Sequence, residues 1–157
     1  MNGIIKKIIF LTATFYLIVL SSLFCVCAQS ELINIKIKDI NIQAEVARDA
    51  FSRSIGLKFR QELPKDQGML FVFDTPGIYG FYMKDTLIDL DIAFIDKDHS
   101  IIQISSLSKG VEKSIYPKKD ILYSLEMNKG FFEANQIHDG DKVEILSFNK
   151  GRFYGEK

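Results

Sequence analysis

The chain has 157 residues, 47 % of them hydrophobic and 25 % charged, with 20 basic and 20 acidic side chains. That length suits one globular domain, and the composition is too apolar for a disordered chain. No basic block or interleaved aromatic–basic stripe occurs, so nucleic acid is not an expected partner.

The first 28 residues stand apart. Lys6 and Lys7 precede an apolar run from Ile8 to Val26, broken only by Thr12, Thr14, Ser21 and Ser22, and no carboxylate occurs before Glu31. A positive start, an apolar centre and small residues at the exit are the layout of a secretory signal. Val26-Cys27-Ala28 makes cleavage after Ala28 the expected processing. The run exceeds the usual signal core of about 7–15 residues and approaches the ~17–25 of a spanning helix, so a retained anchor over residues 8–26 is the alternative. Lipidation at Cys25 or Cys27 is disfavoured by the bulk of Phe24 and Val26 before them. The expected location is the periplasm or cell envelope, with the membrane touched only through this N-terminal segment. Cleavage after Ala28 leaves no cysteine, which removes disulfides, thiolate nucleophiles and Cys-based metal sites. It also removes two of the 20 basic residues and none of the 20 acidic ones, leaving a net charge of −2.

Residues 29–148 read as one mainly β domain, followed by a tail over 149–157. Ile33, Ile35 and Ile37 alternate with polar residues, as do Ile40, Ile42, Ala44 and Val46, with Lys38-Asp39 between the two sets. Period two on both sides of a turn predicts a half-buried antiparallel hairpin. Asp49 can cap a short helix in which Phe51, Ile55 and Phe59 fall four apart on one face. Pro64 to Gly68 forms a polar turn. Met69 to Phe73 is a continuous apolar run, predicting a strand buried on both faces. After turn chemistry at Asp74 to Gly77, strands are expected at 79–83, 89–95 and 100–106, then a polar loop from Lys109 to Lys119. A strand over 121–127, a short helix near 130–135 and a last strand over 142–148 complete the domain. Many short strands and two short helices predict a compact β-sandwich, jelly-roll-like fold or distorted barrel.

Two stretches carry candidate chemistry. Arg53, Gly56, Leu57 and Arg60 share a helical stripe nearly opposite the Phe51/Ile55/Phe59 face. The stripe is either two guanidinium groups flanking a notch at Gly56 for an anion or a backbone, or a solvated face with Gly56 ending or loosening the helix. In a strand over 88–95, Ile88, Leu90, Ile92 and Phe94 point one way, and Asp89, Asp91, Ala93 and Ile95 the other. A covered Asp91 requires a partner, and Lys84, Arg53 and Arg60 are the available cations. Alternatively, Lys84-Asp85-Thr86 is a hairpin turn and the aspartates are wet guards against edge pairing. Asp85, Asp89 and Asp91 offer hard oxygen ligands, but their spacing fits no calcium loop and no metal or other cofactor is expected. His99 and His138, the only imidazoles, lie in Asp-flanked turns, and no nucleophile elbow, phosphate loop or zinc-protease motif occurs.

Arg53-Ser-Ile-Gly-Leu57 with Arg60, Gly68-Met-Leu-Phe-Val-Phe73, Phe81-Tyr-Met-Lys-Asp-Thr86, Leu90-Asp-Ile92, Leu125-Glu-Met-Asn-Lys-Gly130 and Gly140-Asp141 follow one another in the chain. In that order they resemble the family catalogued as domain of unknown function one-nine-two. The resemblance covers essentially all of the chain after the leader. It implies a compact mainly β fold, often behind an export signal or anchor, and it brings no established activity. Where the family usually has Trp-Met-Lys-Asn-Thr, this chain has Tyr82-Met-Lys-Asp-Thr86, which keeps a flat ring and exchanges an amide for an acceptor-only carboxylate.

The resemblance implies one polar cluster built from Arg53, Lys84, Thr86, Asp91 and Glu126. The expected site is a cleft between the short helix and the sheet, comprising Arg53, Arg60, Tyr82, Met83, Lys84, Asp85, Thr86, Asp91 and Glu126. It would bind a small anionic or polar ligand, or a partner's extended segment. Two alternatives stand beside that reading. One is a hydrolase-like enzyme using Asp91 or Glu126 as base and Lys84 against an oxyanion. The other is a purely structural ion network sealed from solvent.

Overall fold

The structure, a computed structural model, describes residues 32–147. The leader or anchor, its exit at Ala28, Cys25 and Cys27, Phe148 and the tail over 149–157 lie outside the described residues. Among the described residues, no helix is long and apolar enough to cross a membrane.

The alternating isoleucines form the expected hairpin. β1 (Leu32–Ile37) and β2 (Ile40–Ala47) pair antiparallel, with Ile37 opposite Ile40 and Ile33 opposite Ala44. β3 (Gln67–Gly77) runs parallel to β2 and antiparallel to β6 (Ile121–Asn128). β4 (Leu90–Ile95) lies between β6 and β5 (Ile101–Leu107), and β7 (Val143–Ser147) pairs with β1. The order is β5-β4-β6-β3-β2-β1-β7. A parallel β2–β3 pair needs a crossover. This one carries the helix α1 (Ala50–Ile55); a second helix, α2 (Phe131–Ala134), follows β6.

The sheet curls into a half-barrel. Ser100 bridges Lys142, and Val143 N donates to the His99 carbonyl at 2.9 Å, so the strands at the two ends of the order meet. One core gathers side chains from all seven strands, Ile35, Leu70, Ile95, Ile101 and Val143 among them, as the inside of a curl allows. A second core, including Leu57, Met69, Phe71, Phe81, Met83 and Ile92, covers the convex face of β3, β6 and β4. β4 is therefore buried throughout: Leu90, Ile92 and Phe94 face the outer core, and Ala93 and Ile95 the inner one.

Three expectations fail, each for a local reason. The turn expected at Asp74 to Gly77 is instead the end of β3, held there by the pairing of Gly77 with Ile121. Residues 79–83 form no strand; Phe81 makes a single bridge to Ile115. Glycines at 77 and 80 and a left-handed Asp85, φ 61°, carry the segment across the convex face, where the Phe81 ring packs on Phe71, Phe73 and Phe94. The α1 face is also inverted. Phe51 is 75 % exposed and Phe59 66 %, whereas Leu57 is 2 % exposed. The helix stops at Gly56, φ 52° and ψ −134°, so a 100° period cannot be carried on to Phe59, itself at φ 63°. A side chain at 56 would begin 3.4 Å from the Phe71 ring, which is how closely this turn lies on the outer core.

Candidate functional site

Between α1, the 79–86 segment and the convex face lies a cavity of about 190 Å3. Its apolar wall is built from Phe71, Phe73, Tyr79, Phe81 and Met83. Phe73 and Tyr79 stack with ring centroids 3.7 Å apart, and Phe71 meets Phe81 edge-on at 5.3 Å. Such contacts fix the rings beyond what area burial alone would do.

The start of α1 aims a cation at this wall. The Asp49 carboxylate accepts from Phe51 N and Ser52 N at 2.9 Å, while Asp49 N donates back to Ser52 Oγ. These bonds, those to Ser52 above all, hold the Asp49 carboxyl below its ordinary range. One turn on, Arg53 Nη1 donates to the carbonyls of Arg48 and Val72, and the guanidinium lies 5.4 Å over the Phe73 ring. Its Nη2 is 3.8 Å from Asp74. Lys58 sits at the rim, its ammonium 5.0 Å from the Tyr82 ring centroid and donating to the Tyr82 hydroxyl at 3.3 Å.

Glu126 is the acid of the cavity. On β6 it lies opposite Met69 of β3 and Ile92 of β4, and cross-strand partners share a face, so its side chain joins the convex side. It is 6 % exposed, and its carboxyl makes no hydrogen bond or ion pair among the described residues. Burial pushes its pKa up to about 8, so at neutral pH it is a carboxylic acid with an O–H to give. Two residues back on the same face, Ser124 Oγ is fully buried and also lacks a partner among the described residues.

Of the residues expected from the sequence, Arg53, Tyr82, Met83, Thr86 and Glu126 line this cavity. The other four lie elsewhere. Arg60 forks onto Glu45 of β2, with Nη2 to Oε2 at 2.7 Å, which raises the Arg60 pKa and ties the crossover loop to the sheet. Lys84 is exposed, 3.9 Å from Glu112. Asp85 is an exposed turn residue whose carbonyl accepts from Phe59 N at 2.9 Å. Asp91 lies opposite Met127 and so faces the inner side, away from Glu126. It is buried, as expected, but its partners are not cations: Oδ1 accepts from Ser106 Oγ at 2.7 Å and Oδ2 from Gly130 N at 2.6 Å. The single charged cluster is thus not assembled, because period two in antiparallel strands puts the two acids on opposite faces.

Asp85, Asp89 and Asp91 do not converge either. Asp89 accepts from Lys109 N at 2.8 Å, and no group of three metal-ligating side chains is gathered among the described residues. Sequence reasoning missed Lys58, Phe71, Phe73, Tyr79 and Phe81. Their signal was the density of aromatic residues on both sides of Asp74-Thr-Pro-Gly77.

A model of the DUF192 family, described as "Uncharacterized ACR", matches residues 33–145. The chain belongs to the DUF192 family. A relative, UPF0127 protein PF1050 of Pyrococcus furiosus, is 24 % identical over 114 residues, covering 68 % of this chain and 90 % of its own. A protein of unknown function from Novosphingobium aromaticivorans superposes with a TM-score of 0.72 at 28 % identity, over 76 % of this chain and 89 % of the other. A candidate transcription regulator from Sinorhizobium meliloti superposes with a TM-score of 0.69 at 28 % identity, over 74 % and 93 %. The DUF192 match includes residues of all seven strands, together with every residue lining the cavity.

Proposed function

We propose that this DUF192 protein is an exported envelope domain that binds, without catalysis, a small polar or anionic ligand in the Glu126 cavity. A cavity near 150 Å3 accepts a benzene ring, so about 190 Å3 holds a small ring with one polar group, or a single side chain of a partner's segment. Arg53 and Lys58 supply positive charge to its walls.

The observation that carries the reading is the Glu126 carboxyl, unpartnered among the described residues, in a cavity whose lining holds five aromatic rings and two cations but no second carboxyl. A fully buried polar group left without a partner costs about 1–3 kcal/mol; Glu126, 6 % exposed, bears part of that cost, and a ligand that bonds it recovers that part. The export half rests on the sequence before residue 29. The hydrolase-like alternative, a carboxylate base with Lys or Arg, is less favoured: Lys84 stands beside Glu112, and Glu126, which shares the cavity with Arg53, holds its proton at neutral pH and is no base there.

Residues 31–157 form a compact unit of their own, suitable for a thermal-shift screen with small acids, amides, alcohols and amines. A hit should raise the melting temperature by several degrees, vanish in Glu126→Leu and survive Lys84→Ala. A panel in which nothing shifts the unit, or a hit indifferent to Glu126→Leu, would sink the reading.

A further inference from the structure

The charges around the cavity narrow the ligand further. Its lining contains one carboxyl, Glu126, and two cations, Arg53 and Lys58. Of the elements packed around Glu126, α1 and the turn after it bring those two cations. The 79–86 segment brings the phenols of Tyr79 and Tyr82, and the neighbouring strands bring the apolar Met69, Phe71 and Ile92. Glu45, farther along the same row, is held by Arg60, and the Tyr79 hydroxyl donates to the Thr75 carbonyl at 2.7 Å. With Glu126 neutral, the cavity has two positive charges in its walls, that of Arg53 partly offset by the exposed Asp74 3.8 Å from its Nη2, and one free acidic O–H.

Building on the binding reading above, we propose that the ligand is a small carboxylic acid with an apolar body, bound as its anion through a hydrogen bond from the Glu126 carboxyl. A ligand amine would have to enter between two cations and displace the Glu126 proton to gain a counter-charge. A neutral amide would satisfy the carboxyl and bring no counter-charge to Arg53 and Lys58. A carboxylate accepts from the Glu126 O–H, a charge-assisted bond of the short, strong kind, and its charge is matched by Arg53 and Lys58. The ring or branched body fills the space between Phe71, Phe73 and Phe81. The proton stays between the two carboxyl groups, and no bond is broken.

The pH range follows. Glu126 keeps its proton up to about pH 8, and the ligand keeps its charge above its own carboxyl range, about pH 4. Affinity is therefore level between those limits and falls about tenfold per pH unit above the upper one, since each binding event must then restore a proton.

The test is calorimetric titration of residues 31–157, whose described core residues all belong to that unit, with benzoate, benzamide and benzylamine. The three share a ring and differ in the head group. Benzoate should bind at pH 6.5 at least about tenfold more tightly than either of the others, as expected for one hydrogen bond to a charged group. Glu126→Gln, which keeps a donor and cannot titrate, should retain benzoate and lose the fall above pH 8. Glu126→Leu should lose at least tenfold; if it does not fold, the flat profile of Glu126→Gln decides. Benzamide or benzylamine matching benzoate would overturn the carboxylate assignment and leave the cavity as a binding site. Failure of all three to bind would overturn both.

Discussion

Glu45 and Glu126 stand in one cross-strand row on the convex face, with Met69 between them, and they are treated oppositely. Glu45 receives both prongs of the Arg60 guanidinium, whereas Glu126 faces a cavity with no partner among the described residues. One row of one sheet thus holds an anchored carboxylate and a carboxylic acid.

The isolation of Glu126 gives stability a pH dependence of definite sign. Its pKa is about 8 in the fold against 4.5 for the unreacted side chain, so the folded state binds the extra proton between those values. Stability is greatest with the group protonated in both states, declines as pH rises from about 4.5, and stops declining above about 8. The total is of the order of a few kcal/mol. Urea unfolding from pH 5 to 9 should show a falling free energy in the wild type and a flatter curve in Glu126→Gln. A wild-type curve that rises across this range would contradict the assignment of Glu126 as a buried, neutral acid.

The orientation of α1 is open to a direct check. Leu57 is buried in the outer core, so Leu57→Ala should cost about 2–5 kcal/mol. Phe51 is exposed, and Phe51→Ser should change stability by no more than about 0.5 kcal/mol. Phe59 occupies a left-handed conformation that asparagine tolerates better, so Phe59→Asn should be neutral or slightly stabilising. Denaturant midpoints of the three variants measure the contrast; a large loss on Phe51→Ser would restore the face that the sequence suggested.

That reversal shows where sequence reading stops. Strand periodicity was legible because it is short and locally imposed: the isoleucines of β1 and the Leu90/Ile92/Phe94 alternation of β4 land where period two puts them. The burial of Asp91 followed from the same count. Its partners did not, because the hydroxyl of Ser106 and the amide of Gly130 reach it through sheet register and a left-handed glycine. Five of the nine residues named from the sequence are brought together, and four are not, for a related reason. Arg53, Tyr82, Met83, Thr86 and Glu126 come to one cavity, but the faces of Asp91 and Glu126 are settled by which residue stands across the strand. Aromatic density around residues 71–81 was visible as composition and not as a wall, since the wall exists only once the 79–86 segment crosses the sheet.

Asp91 should therefore act on stability and leave the ligand alone. Removing it in Asp91→Ala strands Ser106 Oγ and the Gly130 amide, at a cost of about 2–4 kcal/mol. Asp91→Asn should cost less, because the amide oxygen can still accept from Gly130 N while its NH2 group donates to Ser106 Oγ. Neither change should alter the affinity of a cavity ligand measured where the variant is folded. A selective loss of affinity in Asp91→Asn would show that the inner-face acid communicates with the cavity.

Gly68 has the least room to change. It pairs with Met127 across β3 and β6, and a Cβ built there would lie 2.3 Å from Met127 Sδ and 2.5 Å from the Glu126 carbonyl oxygen. The sulfur can swing aside, but the backbone oxygen cannot move without parting the two strands that carry the cavity floor. Gly68→Ala should consequently cost about 3 kcal/mol. Its effect should appear first as lost amide-exchange protection along β3 and β6, ahead of β1 and β7. Because the displaced carbonyl belongs to Glu126 itself, the same variant should weaken any cavity ligand even under conditions where the sheet remains folded. Unchanged exchange on β6 would mean that the strands separate more easily than their register implies.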